Sequence, residues 1–223
     1  MHDRIPLLLA LALLCIGLSC SDDAPPNTEP GPDFVLGTAK SYFIPLAPGV
    51  KLVLTGTLSI VDQRDSLIAR DPCEMHFSIA EKTLRSDRDF VVSIMSITYV
   101  YTNPADTAFN EAYVRSTADS VLLYNRFLEE AETRVFLKTP LQVDASWEYG
   151  DYTAQIVSVR DVLTTPVGLF SQVVRVRFAP PSSGSTWTEL YFAKGIGIVR
   201  WVDRTNIAGD MYIHDVHLTS KNF

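Results

Sequence analysis

The chain has 223 residues, a formal net charge of −7 and 47% hydrophobic residues. An acidic balance without a basic cluster argues against a nucleic-acid partner, and the apolar share is that of a chain with a packed core. With only 3 cysteines present, a disulfide framework is excluded as the source of stability.

Met1-His2-Asp3-Arg4 opens the chain, followed by an apolar run from Ile5 to Leu18 interrupted only by Pro6 and Gly17. A charged start and an apolar stretch of this length read as a secretory signal, too short to span a bilayer comfortably. Gly17-Leu18-Ser19-Cys20 then places a small residue directly before a cysteine, which resembles the lipobox of bacterial lipoproteins, with Gly17 where Leu is commoner. Residues 1–19 are therefore expected to be a lipoprotein signal peptide, and Cys20 the lipidated residue and membrane anchor. The alternative is ordinary secretory cleavage or an uncleaved anchor. Residues 20–37 read as a tether: Pro25, Pro26, Pro30 and Pro32 stand among polar residues that cannot bury enough surface to fold. Extended at ~3 Å per residue, the tether allows the body to stand roughly 40 Å off the membrane. Ser21-Asp22-Asp23 is similar to the acidic export signal of surface lipoproteins in the Bacteroidetes, and is equally what a solvated linker needs. Cys15 leaves with the signal, so Cys73 is the sole partner for an unacylated Cys20 in an oxidising compartment.

From residue 38 to 223 the dominant period is two. Leu52, Leu54, Leu58 and Ile60 alternate with Val53, Thr55, Thr57 and Ser59; Met75, Phe77 and Ile79 alternate with Glu74, His76 and Ser78. Similar runs occupy 90–101, 121–124, 133–137, 152–160, 170–178, 186–193, 198–203 and 210–218. Turn residues separate them at Asn103-Pro104, Gly150-Asp151, Thr165 to Gly168, Pro180 to Ser185, Gly195 to Gly197 and Ala208-Gly209. Around ten strands without α-crossovers predict a mainly β, single-domain body on a large curved antiparallel sheet, an open or partial barrel. Helix is expected only as short pieces near Ala105–Arg115 and Phe127–Glu132.

One hairpin is fixed by parity. Val174, Val176 and Phe178 share a face, as do Leu190 and Phe192, so burying both sets requires even positions to oppose even ones. Arg175 and Arg177 then share the other face with Trp187, Glu189 and Tyr191, a candidate ligand face. The plain alternative is a solvated sheet surface with a cross-strand ion pair and aromatic rings under Arg stems.

There is an internal echo. Ile44-Pro45-Leu46-Ala47-Pro48-Gly49-Val50-Lys51-Leu52 matches Thr139-Pro140-Leu141-Gln142-Val143-Asp144-Ala145-Ser146-Trp147 in its Pro-Leu, its turn residue (Gly49, Asp144) and its bulky apolar residue. Two similar half-sheets, or recurrence of a common turn, account for it equally well. These residues also carry a family resemblance. Tyr42-Phe43-Ile44-Pro45-Leu46 with Gly49, Pro140-Leu141 with Trp147, Thr165-Pro166-Val167-Gly168-Leu169-Phe170, and Tyr191-Phe192-Ala193-Lys194-Gly195-Ile196-Gly197 follow in an order that resembles a loose family of exported bacterial proteins, often lipoproteins, labelled TapB-like. Leu52 stands where the family has a first Trp, and Asp144 where it has glycine. The resemblance implies a curved antiparallel sheet and no established reaction. Its shared residues, Pro45, Gly49, Pro140, Pro166, Gly168, Gly195 and Gly197, are turn formers.

Catalytic and metal chemistry find little support. His214 and His217 point to opposite faces of a strand, and His76 stands alone, whereas a metal site needs three or four convergent ligands. No Gly-x-Ser-x-Gly is present, Cys73 has no local partner, and Gly195-Ile196-Gly197 leads into a strand rather than a phosphate-cradling helix. No cofactor is implied. The expectation is a non-enzymatic outer-membrane lipoprotein, periplasmic or surface-displayed, whose sheet binds a lipid, a protein or an envelope polymer. The alternative is a surface glycan-binding module using Trp187 and Tyr191, and the less favoured one an enzyme of unrecognised type, for which scattered Glu and Asp residues leave a glycosidase-like carboxylate pair open.

Overall fold

The computed structural model describes residues 36–84, 91–101, 107–124, 133–182 and 184–223. The signal, Cys20 and the tether up to 35 lie outside the described residues, as does the helix expected at Phe127–Glu132. Leu36 packs against the core.

Among the described residues, one 3-10 turn (Ala39–Tyr42) precedes twelve strands: β1 (Lys51–Val61), β2 (Leu67–Leu84), β3 (Val91–Tyr101), β4 (Ala108–Ser116), β5 (Ser120–Tyr124), β6 (Arg134–Lys138), β7 (Ser146–Tyr149), β8 (Tyr152–Thr165), β9 (Gly168–Ala179), β10 (Trp187–Ala193), β11 (Gly197–Ile207) and β12 (Asp210–Lys221). They form a single antiparallel sheet in the order β6-β5-β4-β3-β2-β1-β12-β11-β10-β9-β8-β7. Chain neighbours are sheet neighbours throughout, except that β12 returns to pair with β1 and β6 does not pair with β7. The result is an up-and-down barrel with one unladdered seam.

Alternation dictates the two surfaces. The inward row across β2, β1 and β12 runs Phe77, Leu52 and Met75, Leu54, Leu218, with each of these side chains at most 2% exposed. Across β9 and β10 the inward pairs are Val176 with Leu190 and Val174 with Phe192. Phe136 of β6 joins this interior, with its ring 5.7 Å from Phe178 and 5.8 Å from both Phe192 and Phe43. Each aromatic pair of this kind adds about 0.5–1.5 kcal/mol to the burial of the rings. Tyr42, Phe43 and Ile44 close one end, tied down where Gly195 N donates to Ser41 O at 2.7 Å and Ala39 N to Thr139 Oγ1 at 3.0 Å.

The internal echo is physical. In the first copy Gly49 N donates to Ile79 O, Val50 N to Ala47 O and Ile79 N to Val50 O, at 2.8, 3.2 and 2.9 Å. In the second, Asp144 N donates to Ile156 O, Ala145 N to Gln142 O and Ile156 N to Ala145 O, at 2.9, 3.1 and 2.9 Å. Both turn residues are left-handed, with φ +88° at Gly49 and +68° at Asp144, a conformation Asp tolerates better than most side chains. Each copy leads into a six-stranded meander, β1–β6 or β7–β12. The halves join by the β1–β12 ladder on one side and meet at the seam on the other. There Trp147 Nε1 donates to the Val135 carbonyl at 2.6 Å.

Two expectations need correction. Ala105–Arg115 is not helical where described: 108–116 is β4, because Ala112 and Val114 face inward opposite Met95 and Ser93. Tertiary pairing overrides the helix preference of Asn-Glu-Ala. The second is β7, which the period search missed because at four residues it is too short to show alternation. Cys73, on β2 between β1 and β3, is 4% exposed and packs as a small buried apolar residue.

Of the turn formers, Gly195 and Gly197 have φ +76° and +101°, Gly168 has φ +142°, Pro166 opens the β8–β9 turn, Pro45 follows the 3-10 turn, and Pro140 lies in the β6–β7 connection. At Gly197 an added Cβ would sit 2.8 Å from Ile44 N, so this glycine also permits the close approach of the chain that closes the barrel end.

Candidate functional site

The outward face of β8 to β12 carries two adjacent rows. Register pairs Arg175, Tyr191, Arg200 and His217 across β9, β10, β11 and β12; the neighbouring row is Arg177, Glu189, Val202 and Asp215. The hairpin pairs even with even, as parity requires, and Arg175, Arg177, Trp187, Glu189 and Tyr191 lie together on one face.

Glu189 is 4% exposed although it lies on the outer side of the barrel. Its Oε1 accepts from Arg177 Nε and Nη2 at 2.8 and 2.6 Å, while Oε2 accepts from Tyr191 Oη at 3.1 Å. A buried carboxylate requires such partners, since desolvation otherwise drives it to neutrality. Arg177 also lies over the Trp187 ring, 5.1 Å from its centroid. Tyr191 is flanked by the guanidinium groups of Arg200 and Arg175, at 5.1 and 5.7 Å. Burial pushes the Tyr191 phenol up, reinforced by Glu189 and opposed by the two arginines. With Tyr191 buried and Trp187 half-buried under Arg177, the two rings form no open stacking platform.

Arg200 and Asp215 make a two-pronged pair, Nε to Oδ1 at 2.9 Å and Nη2 to Oδ2 at 2.8 Å, with His217 Nε2 3.2 Å from Oδ1. Burial opposes the Asp215 charge, but the hydrogen bonds from His217 and Arg200 win and hold its carboxyl well below the usual carboxylate range. Strand β8 bends over this face. Its ladder with β9 slips between Ile156 and Ser158, between Ser158 and Asp161, and again before Leu163, and such bulges bend a strand and re-aim its side chains. Asp161 Oδ2 thereby comes 3.1 Å from Arg175 Nε. The bent strand and the basic row enclose a groove of about 300 Å³ lined by Asp161, Val162, Leu163, Arg175, Tyr191 and Arg200.

Sequence reasoning missed Asp161, Arg200, Asp215 and His217 as members of this face. The Arg200 and Tyr191 pairing follows from the Gly195–Gly197 turn, but a register slip between Tyr191 and Phe192 hides it from parity counting. The slips in β8 leave no trace in composition.

A second polar cluster lies inside the barrel. Asp203 Oδ1 accepts from Thr188 Oγ1 at 2.6 Å and Oδ2 from Thr205 Oγ1 at 3.1 Å, with His214 Nδ1 3.8 Å away; His214 Nε2 is 3.2 Å from Tyr101 Oη. Burial opposes the Asp203 charge, yet the neighbouring His214 and the hydrogen bonds from Thr188 and Thr205 lower its pKa. His214 and His217 lie on opposite sides of β12, and among the described residues no group of three metal-ligating side chains converges.

Apolar inside apart from the cluster around Asp203, and charged on the outer face of β8 to β12, the molecule is the inverse of a lipid-embedded barrel, whose outward belt is apolar. It belongs to the class of water-facing antiparallel barrels with a side-chain-filled interior. No family model matches the chain, and no curated protein does. Solved structures similar to it include a Bacteroides fragilis protein described as exported with a YmcC-like fold, at 11% identity and TM-score 0.49, covering 82% of this chain and 100% of that one. Another is a protein described as a lipoprotein from Parabacteroides distasonis, at 13% identity and TM-score 0.44, covering 82% of this chain and 99% of that one. Similarity at this level transfers no role.

Proposed function

We propose that this protein is a cell-envelope lipoprotein, anchored in the outer membrane by acyl chains on Cys20, that binds a protein or envelope polymer without catalysis on the outer face of its barrel. The observation that carries this reading is the division of labour between the two surfaces. The interior near the closed end is filled by Phe77, Met75, Leu52, Leu54, Leu190 and Phe192, none more than 2% exposed, which favours outward contact over carriage of a lipid inside. The groove on the outer face offers recognition chemistry instead: guanidinium groups, an acid and two apolar walls. No serine, threonine, cysteine, histidine or lysine is among its lining residues, and the arginines stay charged at neutral pH. The small residue before Cys20, the proline-rich tether and the resemblance to TapB-like exported proteins support the envelope location.

The test is site-specific photocrosslinking in cells that express the full chain. A photoreactive residue in place of Val162, which is 66% exposed in the groove, is expected to give discrete adducts; the same residue at Phe109, 59% exposed on β4, is expected to give none. Equal labelling at both positions, or none at 162, contradicts the assignment.

A further inference from the structure

The geometry points to the groove beside Arg175, Tyr191 and Arg200 as a receptor for an oxyanion, a carboxylate or phosphate carried by an envelope polymer, which displaces Asp161 from Arg175. This deepens the outward-binding reading and rests on it.

Three observations converge. First, Arg175 and Arg200 stand in line on either side of Tyr191, while the acids Glu189 and Asp215 stand in the next row along the strands, where Arg177 pairs with Glu189. The groove walls are Val162 and Leu163 of the bent strand, and among the described residues Asp161 is the one carboxylate lining it. Second, the guanidinium groups are held in place with donors to spare. Asp215 takes Nε and Nη2 of Arg200, and among the described residues no hydrogen bond occupies its Nη1. Arg175 Nη1 is 3.7 Å from Glu189, too long for a hydrogen bond. A guanidinium fork already held by an acid, as Arg200 is by Asp215, loses little freedom when it takes an anion in planar, paired geometry.

Third, the Asp161 contact is a poor hydrogen bond. The carboxylate is 3.1 Å from Arg175 Nε, yet that buried Nε has no hydrogen-bond acceptor, so Asp161 sits off the N–H direction. Ion pairs exposed to water are worth little, at most about 1 kcal/mol, and Asp161 keeps 26% of its side chain exposed. It neutralises Arg175 in the free protein without satisfying it. A ligand oxyanion with two oxygens bridging Arg175 and Arg200 makes the bonds that Asp161 leaves unmade. Glu189 and Asp215 remain in place as supports, and the apolar walls take the carbon skeleton next to the anion.

The test uses the full-length protein in detergent micelles, titrated with glucuronate, inorganic phosphate and, as neutral control, glucose, with calorimetric or NMR readout. Saturable binding of glucuronate or phosphate but not glucose is expected, and which anion binds tighter separates a carboxylate-bearing from a phosphate-bearing polymer. Arg200→Gln is expected to weaken binding about tenfold or more, the loss of a charge-assisted contact. Asp161→Asn is expected to tighten binding about threefold, a gain that misfolding cannot produce. No saturable anion binding, glucose binding as tightly as glucuronate, or an affinity unmoved by Asp161→Asn would each overturn the proposal. If the photoreactive residue at 162 still gives adducts while neither anion binds, outward binding stands and the oxyanion is removed from it.

Discussion

The seam between β6 and β7 concentrates the sharpest structural prediction. Trp147 is 9% exposed, and its indole N–H donates to the Val135 carbonyl at 2.6 Å, bridging strands that share no ladder. Trp147→Phe keeps an aromatic ring in the interior and deletes this bond. The lost hydrogen bond is worth about 1 kcal/mol net, and the smaller ring gives up roughly 40 Å² of buried apolar surface, about another 1 kcal/mol. A part-buried carbonyl left without its donor raises the sum to about 2–3 kcal/mol. Trp147→Ala adds a cavity and should cost about 3–5 kcal/mol. Urea unfolding followed by far-UV circular dichroism is the assay. At a slope of about 2 kcal/mol/M, Trp147→Phe lowers the midpoint by about 1 M with the slope unchanged. Hydrogen exchange should quicken first in 134–138 and 146–149. A midpoint within about 0.2 M of wild type, the equivalent of a surface change, would show that ring packing alone holds the seam.

Gly56→Ala should be severe, because its Cβ would lie 1.9 Å from the Asp215 carbonyl oxygen and 2.8 Å from Val216 Cα; thermal unfolding should register a loss of at least about 2 kcal/mol. Acid should destabilise the fold through Asp203 and Asp215, whose folded pKa values are depressed: their contribution is present above the ordinary value of 3.8 and is lost as pH falls through the folded values. A stability profile flat from pH 5 to pH 3 would contradict this. The alkaline limb has the opposite sign. Burial pushes the Cys73 thiol from 9.0 up to about 11 and the Tyr99 phenol from 10.0 up to about 12, so their contributions are complete below those ordinary values and are lost as pH rises toward the folded ones. Accordingly, iodoacetamide at pH 8 should leave Cys73 unmodified in the native protein and modify it in guanidinium chloride, as read by peptide mass spectrometry.

The sheet was legible in the sequence wherever one face is buried. Leu52 to Ile60 and Met75 to Ile79 alternate because each strand separates a filled interior from water. Parity goes further and places Arg175, Arg177, Glu189 and Tyr191 on one face from the sequence alone. It failed at β4, where Ala108 to Ser116 has helix-favouring residues and its strand identity comes from pairing with β3. It also failed to complete the candidate groove. Asp161 reaches Arg175 only through successive slips in β8, and Arg200 aligns with Tyr191 across a slip in β10, events fixed by packing and not by residue type. The echo of 44–52 in 139–147 was visible as residues, and its meaning appeared only in the matching hydrogen bonds.

Attachment of the folded barrel to a membrane through Cys20 is tested by detergent phase partitioning of the full-length product with intact-mass measurement. Wild type is predicted to enter the detergent phase with residues 1–19 removed and the mass of added acyl chains on Cys20, and Cys20→Ala to lack that mass. A wild-type product in the aqueous phase, or one whose mass shows an unmodified Cys20, would contradict the account.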